Sequence, residues 1–204
     1  MLNKILFTLT ILLALTAALA QDKGKGGPKA PPVPGMALST PDFQDGGIIP
    51  DNFSQVNPNA PSPRLEWTNV PMGTQSFVLI MHDPDNALNK MPDDVLHWMV
   101  FNIPGTARSL DGGQPATAQL PDGTVQAKNL RGNVGYMGPG NGAQNPYHHY
   151  TWELYALDGK LDLGPDATRA QVMKAMEATL SERPCWKAAS VVLRHNYQHP
   201  RRTL

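Results

Sequence analysis

A single cysteine, Cys185, serves a chain of 204 residues. An internal disulfide is therefore excluded, and in an oxidising compartment the fold must rest on packing alone. Flanked by Pro184 and Trp186, the thiol reads as a buried, inert side chain, with pairing between molecules as the other reading. Excess charge of either sign is also missing, because seventeen Lys and Arg balance seventeen Asp and Glu. That balance removes the long-range attraction that recruits nucleic acid or an anionic membrane surface, so any ligand is found by a local site. The tail from Arg194 to Arg202 gathers three arginines and two histidines, a run that reads as a solvated end rather than a nucleic-acid surface. Beyond residue 20 no apolar run approaches the roughly 20 residues that a membrane helix requires. Hydrolase signatures are absent too: no His-x-x-x-His pair within a helical pattern, no cysteine ligand set, no Gly-x-Ser-x-Gly elbow.

What the chain has at its start is Lys4, an apolar run from Ile5 to Leu15, and small residues ending in Ala18-Leu19-Ala20. This is the three-part layout of a secretory signal, with cleavage expected after Ala20 and no integral membrane segment left once it is removed. Lipid attachment at the new N-terminus is not expected, since the first cysteine lies far downstream. Residues 21–35 are rich in Gly, Pro and Lys with almost nothing to bury, and read as a disordered tether. Residues 36–204 are then one domain, long enough to bury a core without staples.

Within that domain, short apolar runs alternate with Pro, Gly, Asn and Asp, the punctuation of a mainly β fold. Strands are predicted at Ser76 to Met81, Leu96 to Ile103, Tyr150 to Leu157 and Ala189 to Leu193. Alternation over Leu96 to Ile103 places Trp98 and Val100 on one face and His97, Met99, Phe101 and Ile103 on the other. Both faces are apolar, so this strand is expected inside a packed sandwich. One helix is expected where Thr168 and Gln171 can form a capping box and Val172, Met173, Met176 and Leu180 recur at helical spacing before Pro184.

Three polar clusters stand at predicted strand ends: His82-Asp83-Pro84-Asp85, His97, and Tyr136-Met137-Gly138-Pro139-Gly140 leading to Tyr147-His148-His149-Tyr150. Singly each is ambiguous. Asp-Pro-Asp is also a turn, a strand histidine is also a satisfied core residue, and a glycine loop before a strand lacks the geometry of a nucleotide phosphate loop.

Taken in order, these clusters resemble the phosphatidylethanolamine-binding protein family, in its bacterial Raf-kinase-inhibitor-like branch. The resemblance runs from about Leu38 to Tyr197. It is carried by Ser39-Thr40-Pro41-Asp42-Phe43, Ser62-Pro63-Arg64-Leu65-Glu66-Trp67, Asp83-Pro84-Asp85, His97-Trp98-Met99-Val100-Phe101-Asn102-Ile103-Pro104, Gly135-Tyr136, Gly138-Pro139 and His148-His149-Tyr150. It implies a two-sheet antiparallel β-sandwich with one or two short peripheral helices and a pocket at one sheet end. The ligand-binding residues it implies are Asp83, His97, Gly138, Gly140, His148 and Tyr150, with Asp85 shaping the rim. Where the family has His-Arg-Tyr, this chain has His148-His149-Tyr150; His149 should point away from the pocket, because strand residues alternate. Where the family has a small residue and two prolines, Gly140-Asn141-Gly142-Ala143-Gln144-Asn145 intervenes before Pro146, a less rigid wall.

In such a site a phosphate or carboxylate would be met by imidazole N–H, the Tyr150 hydroxyl and backbone N–H groups exposed by glycine, with no arginine or lysine required. Asp83 would orient a neighbouring histidine or accept from a ligand amine, as phosphoethanolamine provides. The expected function is that of an exported, periplasmic or secreted protein that binds a small anion or phospholipid headgroup, with no catalysis, no metal and no cofactor. The alternative is an inhibitor or interaction module for an envelope or secreted protein such as a protease, since relatives are described as inhibitors of kinases or proteases. A metal-dependent hydrolase using His82, Asp83, Asp85, His97, His148 and His149 is the weakest reading, as the resemblance explains the same residues without metal.

Overall fold

The computed structural model describes residues 35–85, 94–140, 147–179 and 188–195, with residues 178–179 and 188–195 described by backbone alone. The signal, the tether up to residue 34, the loop 141–146, Leu180, Pro184, Cys185 and the tail beyond residue 195 lie outside the described residues.

The protein is mainly β, with two antiparallel sheets. Strands β1 (Ala37–Ser39), β2 (Leu65–Thr68) and β5 (Ser109–Leu110) form a three-stranded sheet in the order β1-β2-β5. Strands β3 (Ser76–Asp83), β4 (Val95–Pro104), β6 (Val125–Gln126), β7 (His148–Leu157) and β8 (Ala188–His195) form a second sheet, ordered β6-β4-β3-β7-β8. A 3₁₀ turn occupies Asp51–Phe53 and one α-helix, α1, spans Arg169–Thr179.

Alternation along β3 and β7 sorts the apolar side chains into two cores. Phe77, Leu79, Met81, Trp152 and Leu154 meet Leu38, Leu65 and Trp67 of the smaller sheet. On the opposite face Val78, Ile80, Met99, Phe101 and Tyr155 are covered by Leu161 and by Val172 and Met176 of α1. The two apolar faces of β4 are thus explained, but the second is roofed by a helix rather than by another sheet. Each large side chain so buried contributes about 1.5–3 kcal/mol relative to exposure. The helix begins as its sequence predicts: the Thr168 N–H donates to Gln171 Oε1 (2.8 Å), and the Gln171 N–H donates to Thr168 Oγ1 (3.3 Å).

Strand β4 departs from simple alternation twice. Met81 pairs with Trp98 but the next residue, His82, pairs with Leu96, so His97 is an extra residue opposite β3. Phe77 pairs with Ile103 and Leu79 with Val100, so a second extra residue lies between Val100 and Ile103. There Asn102 adopts φ 58°, a left-handed conformation that asparagine tolerates better than most residues. Each bulge re-aims the chain. Ile103 packs in the core with Trp98 and Val100, not with Met99 and Phe101, and His97 is likewise turned to the Trp98 side. The expectation from strict alternation is corrected at both residues.

Asn102 pins the second bulge: its amide Nδ2 donates to the Leu161 carbonyl (2.9 Å) while its Oδ1 accepts the Leu161 N–H (2.8 Å). Asn102→Gly keeps the backbone conformation but strips both partners from Leu161, so urea unfolding should show a loss of about 1–3 kcal/mol. Asn102→Ala should lose about 1 kcal/mol more, from the left-handed φ. Unchanged stability in both variants would contradict this account.

Candidate functional site

Three adjacent strands deliver side chains to one end of the larger sheet. The inward row of β3 ends at Asp83, and the inward row of β7 begins with His148 and Tyr150. Between them the β4 bulge contributes His97, whose ring meets that of Tyr150 edge to face at 5.0 Å. The segment 136–140 closes over these residues. His97 and Met137 are locked reciprocally, the Met137 N–H donating to the His97 carbonyl (3.0 Å) and His97 Nδ1 donating to the Met137 carbonyl (2.9 Å). Since a carbonyl only accepts, the Nδ1 proton is fixed and Nε2 is the remaining ring edge.

These residues enclose a cavity of about 180 Å³ lined by Asp83, His97, Gly140, His148 and Tyr150, with Val95, Leu130 and Met137 as its apolar part and Gln55 and Arg131 completing the wall. Of the residues singled out from sequence, five therefore share one cavity. Gly138 lines an adjoining, larger cavity, and Asp85 stands beside the site as the partner of His149. His149 is half-exposed and turned off the pocket face, as alternation predicts.

Asp83 is the buried electrostatic centre, 1% exposed. Its Oδ2 accepts from His148 Nδ1 (2.8 Å) and its Oδ1 from the Asp85 N–H (3.0 Å). Burial first, and then the Asp83 charge and a hydrogen bond with its carboxylate, push the Tyr150 phenol well above its ordinary pKa, opposed by the Gly140 backbone. Tyr150 therefore stays a neutral phenol. Burial also pulls His97 below the usual histidine pKa, against the opposing effects of the Met137 hydrogen bond and Asp83, while Arg131 adds to the lowering. Its imidazole is neutral near neutral pH. The unfolded chain takes up that proton first, so His97 costs stability as pH falls below about 6.5. Burial pushes Asp85 up, but the backbone N–H and ring of His149 outweigh it, and its pKa lies below the carboxylate range.

Arg131 and Gln55 had no visible signal in the sequence beyond a basic residue in an Asn/Gly loop. Gln55 reaches the site from the 3₁₀ turn region: its Nε2 donates to the Gly138 carbonyl (2.8 Å), its N–H to the Pro139 carbonyl (2.8 Å), and its Oε1 accepts from Arg131 (2.5 Å). The pocket thus contains a guanidinium that the sequence reading did not require. His82, next to Asp83 in sequence, faces the helix side, where it contacts Asp94 (2.9 Å) and Glu153 (3.7 Å). The histidines whose side chains are described are therefore split between two faces of one sheet, and among the described residues no three of His, Cys, Asp and Glu stand as a metal-binding group.

The profile described as phosphatidylethanolamine-binding protein matches residues 39–186. A UPF0098 protein of Methanothermobacter thermautotrophicus is 41% identical over 143 residues, 70% of this chain and 89% of the relative. A Mycobacterium tuberculosis protein described as a candidate lipoprotein, LppC, is 35% identical over 153 residues, 74% of this chain and 70% of the relative. The crystal structure of Escherichia coli YbcL, described as a member of the mammalian PEBP family, superposes with TM-score 0.69 at 24% identity, covering 81% of this chain and 100% of that one.

The two loop glycines are required for different reasons. A Cβ on Gly138 would lie 2.5 Å from the Phe53 carbonyl oxygen and 2.9 Å from Ser54 Cα, both backbone, whereas one on Gly140 would strike only the carboxamide of the Gln55 side chain. Gly138→Ala should therefore destabilise the fold by about 1–3 kcal/mol in urea unfolding. Gly140→Ala should destabilise less, its cost limited to the Gln55 side-chain hydrogen bonds it displaces; equal effects of the two would contradict this assignment.

Proposed function

This chain belongs to the phosphatidylethanolamine-binding protein family, and from that premise we propose that it is an exported binding protein whose pocket takes a small anion, phosphate or carboxylate, free or as a phospholipid headgroup. The observation that carries this reading is the convergence of His97, His148, Arg131 and the backbone at Gly140 on one cavity of about 180 Å³. Arg131 offers a permanent charge and a planar set of donors. With both Nδ1 atoms committed to Met137 and Asp83, each imidazole presents Nε2. An anion is held there only when Nε2 carries a proton, so binding is coupled to proton uptake by the neutral His97. Asp83 lies where it would accept from a ligand ammonium, as in phosphoethanolamine.

Export is read from residues 1–20, with 21–35 as a tether ahead of the binding domain. The similarity to a mycobacterial protein described as a lipoprotein supports an envelope setting, periplasmic or secreted, and no described helix is long and apolar enough to cross a membrane. The interaction-module alternative calls for an apolar surface patch. Ile48, Met72, Leu130 and Tyr147 are the large apolar side chains exposed among the described residues, and Leu130 belongs to the pocket wall.

Calorimetric titration with phosphate, acetate, phosphoethanolamine and zinc should give saturable anion binding, weakened about tenfold or more in His97→Ala. Zinc binding alone would favour the hydrolase instead, and no response to any ligand would favour a protein partner. Acetate affinity should fall as pH rises from about 5 to 8, because the proton taken up by His97 becomes scarcer. A flat profile over that span would sink the coupling.

A further inference from the structure

The small pocket does not stand alone. A second cavity of about 600 Å³ adjoins it, and the two share Gln55, Arg131 and Met137 as a common wall. A free phosphate in the first would leave the second unused.

The shared wall is built to hold a charged group in place. Gln55 is fixed at its backbone and at its amide, by Pro139 and Gly138 respectively, and its Oε1 then takes one N–H of Arg131. A guanidinium has five N–H donors, so a single neutral acceptor leaves most of them for a ligand. No carboxylate pairs with Arg131 among the described ion pairs. Arg131 therefore lines both cavities without a carboxylate partner among the described ion pairs, and Asp83, the one acidic residue lining either cavity, is already held by His148 and the Asp85 N–H.

The second cavity has a distinct chemistry. Arg131 is its sole charged lining residue, and its polar side chains are otherwise carboxamides and the Tyr136 phenol. Asn57 and Asn129 are spent on backbone partners, which stiffens the wall. Tyr136 donates to the Phe53 carbonyl (2.7 Å), leaving its oxygen able to accept. Exposed Asn133 stands at the opening, with no side-chain hydrogen bond within the protein among the described contacts. A cationic body would be repelled by Arg131, and acyl chains would have to desolvate the Asn and Gln amides that share the wall with Pro58, Ala60, Ala116 and Val134. An uncharged body bearing hydroxyl groups meets Arg131, the Asn133 amide and the Tyr136 oxygen as polar partners.

We propose that this site is specific for a phosphate monoester with an uncharged, hydroxyl-bearing body, a sugar or polyol phosphate: the phosphate sits in the small pocket against Arg131, and the body fills the second cavity. The proposal rests on the anion-pocket reading and adds the ligand class to it. Arg131 is the specificity-determining residue, since it bridges the phosphate and the first hydroxyls.

The test is calorimetric titration of the full mature protein with inorganic phosphate, glucose 6-phosphate, glycerol 3-phosphate, glucose, and phosphatidylethanolamine vesicles. Asn133→Trp, and Ala60→Trp as a second plug should the first not fold, fill the larger cavity and leave the smaller intact. The esters should bind about tenfold or more tighter than inorganic phosphate. Either plug should erase that advantage with phosphate affinity unchanged, and Arg131→Gln should weaken both ligands. Equal affinity for phosphate and esters in the unaltered protein overturns the ligand class but leaves the anion pocket standing. Vesicle binding with no response to the esters overturns it in favour of a lipid headgroup, and silence toward phosphate and esters alike overturns both readings.

Discussion

Between the Met81–Trp98 and His82–Leu96 pairs, strand β4 carries one residue more than β3, and that residue is His97. In a regular strand its ring would point to the face that α1 covers, among Met99 and Phe101. The extra residue turns it instead into the row of Asp83, His148 and Tyr150. Its backbone carbonyl accepts the Met137 N–H, while the Met137 carbonyl takes the His97 ring proton. One irregularity thus aims an imidazole, fixes its tautomer and docks the loop that closes the pocket. A buried polar group left unpaired would cost about 1–3 kcal/mol, so the two bonds stabilise the bulge that creates them.

The same end of the sheet keeps its charges apart by using both faces. Asp83 turns inward to His148, while adjacent His82 turns outward to Asp94 and Glu153, and Asp94 also binds Arg169 of α1. The nearby His82 ring holds Glu153 below the ordinary carboxylate range against burial, and Arg169 and His82 do so for Asp94. The outer group ties helix to sheet; the inner group is left to face the cavity. Neutral Tyr150 and neutral His97 lower the cost of burying Asp83 beside them, since neither adds a charge to desolvate.

Much of this was legible in the sequence. Apolar runs marked β3, β4, β7 and β8 to within a few residues, and Thr168 with Gln171 marked the start of α1 through the chemistry of its own cap. Asp83, His97, Gly140, His148 and Tyr150 were picked by motif and do share a cavity. The bulges were not legible, because a bulge is a mismatch between two strands and neither strand alone records it; Ile103 was placed on the wrong face for that reason. Gln55 and Arg131 were missed because they lie 76 residues apart in loops without periodicity, and only tertiary packing brings them together. The glycines were found for an incomplete reason: at Gly138 the need is close approach to the backbone of Phe53 and Ser54, which no local pattern reveals.

Anion binding coupled to proton uptake depends most on the state of one ring, neutral His97 with its proton held on Nδ1 and Nε2 left for the ligand. Long-range proton–nitrogen NMR of the imidazoles, recorded near pH 7 with and without excess phosphate, reads both features. His97 should be the Nδ1–H tautomer in the free protein, titrating below the ordinary histidine value, and its Nε2 resonance should move toward the protonated form when phosphate is added. A charged His97 or an Nε2–H tautomer in the free protein, with no response to phosphate, would contradict it.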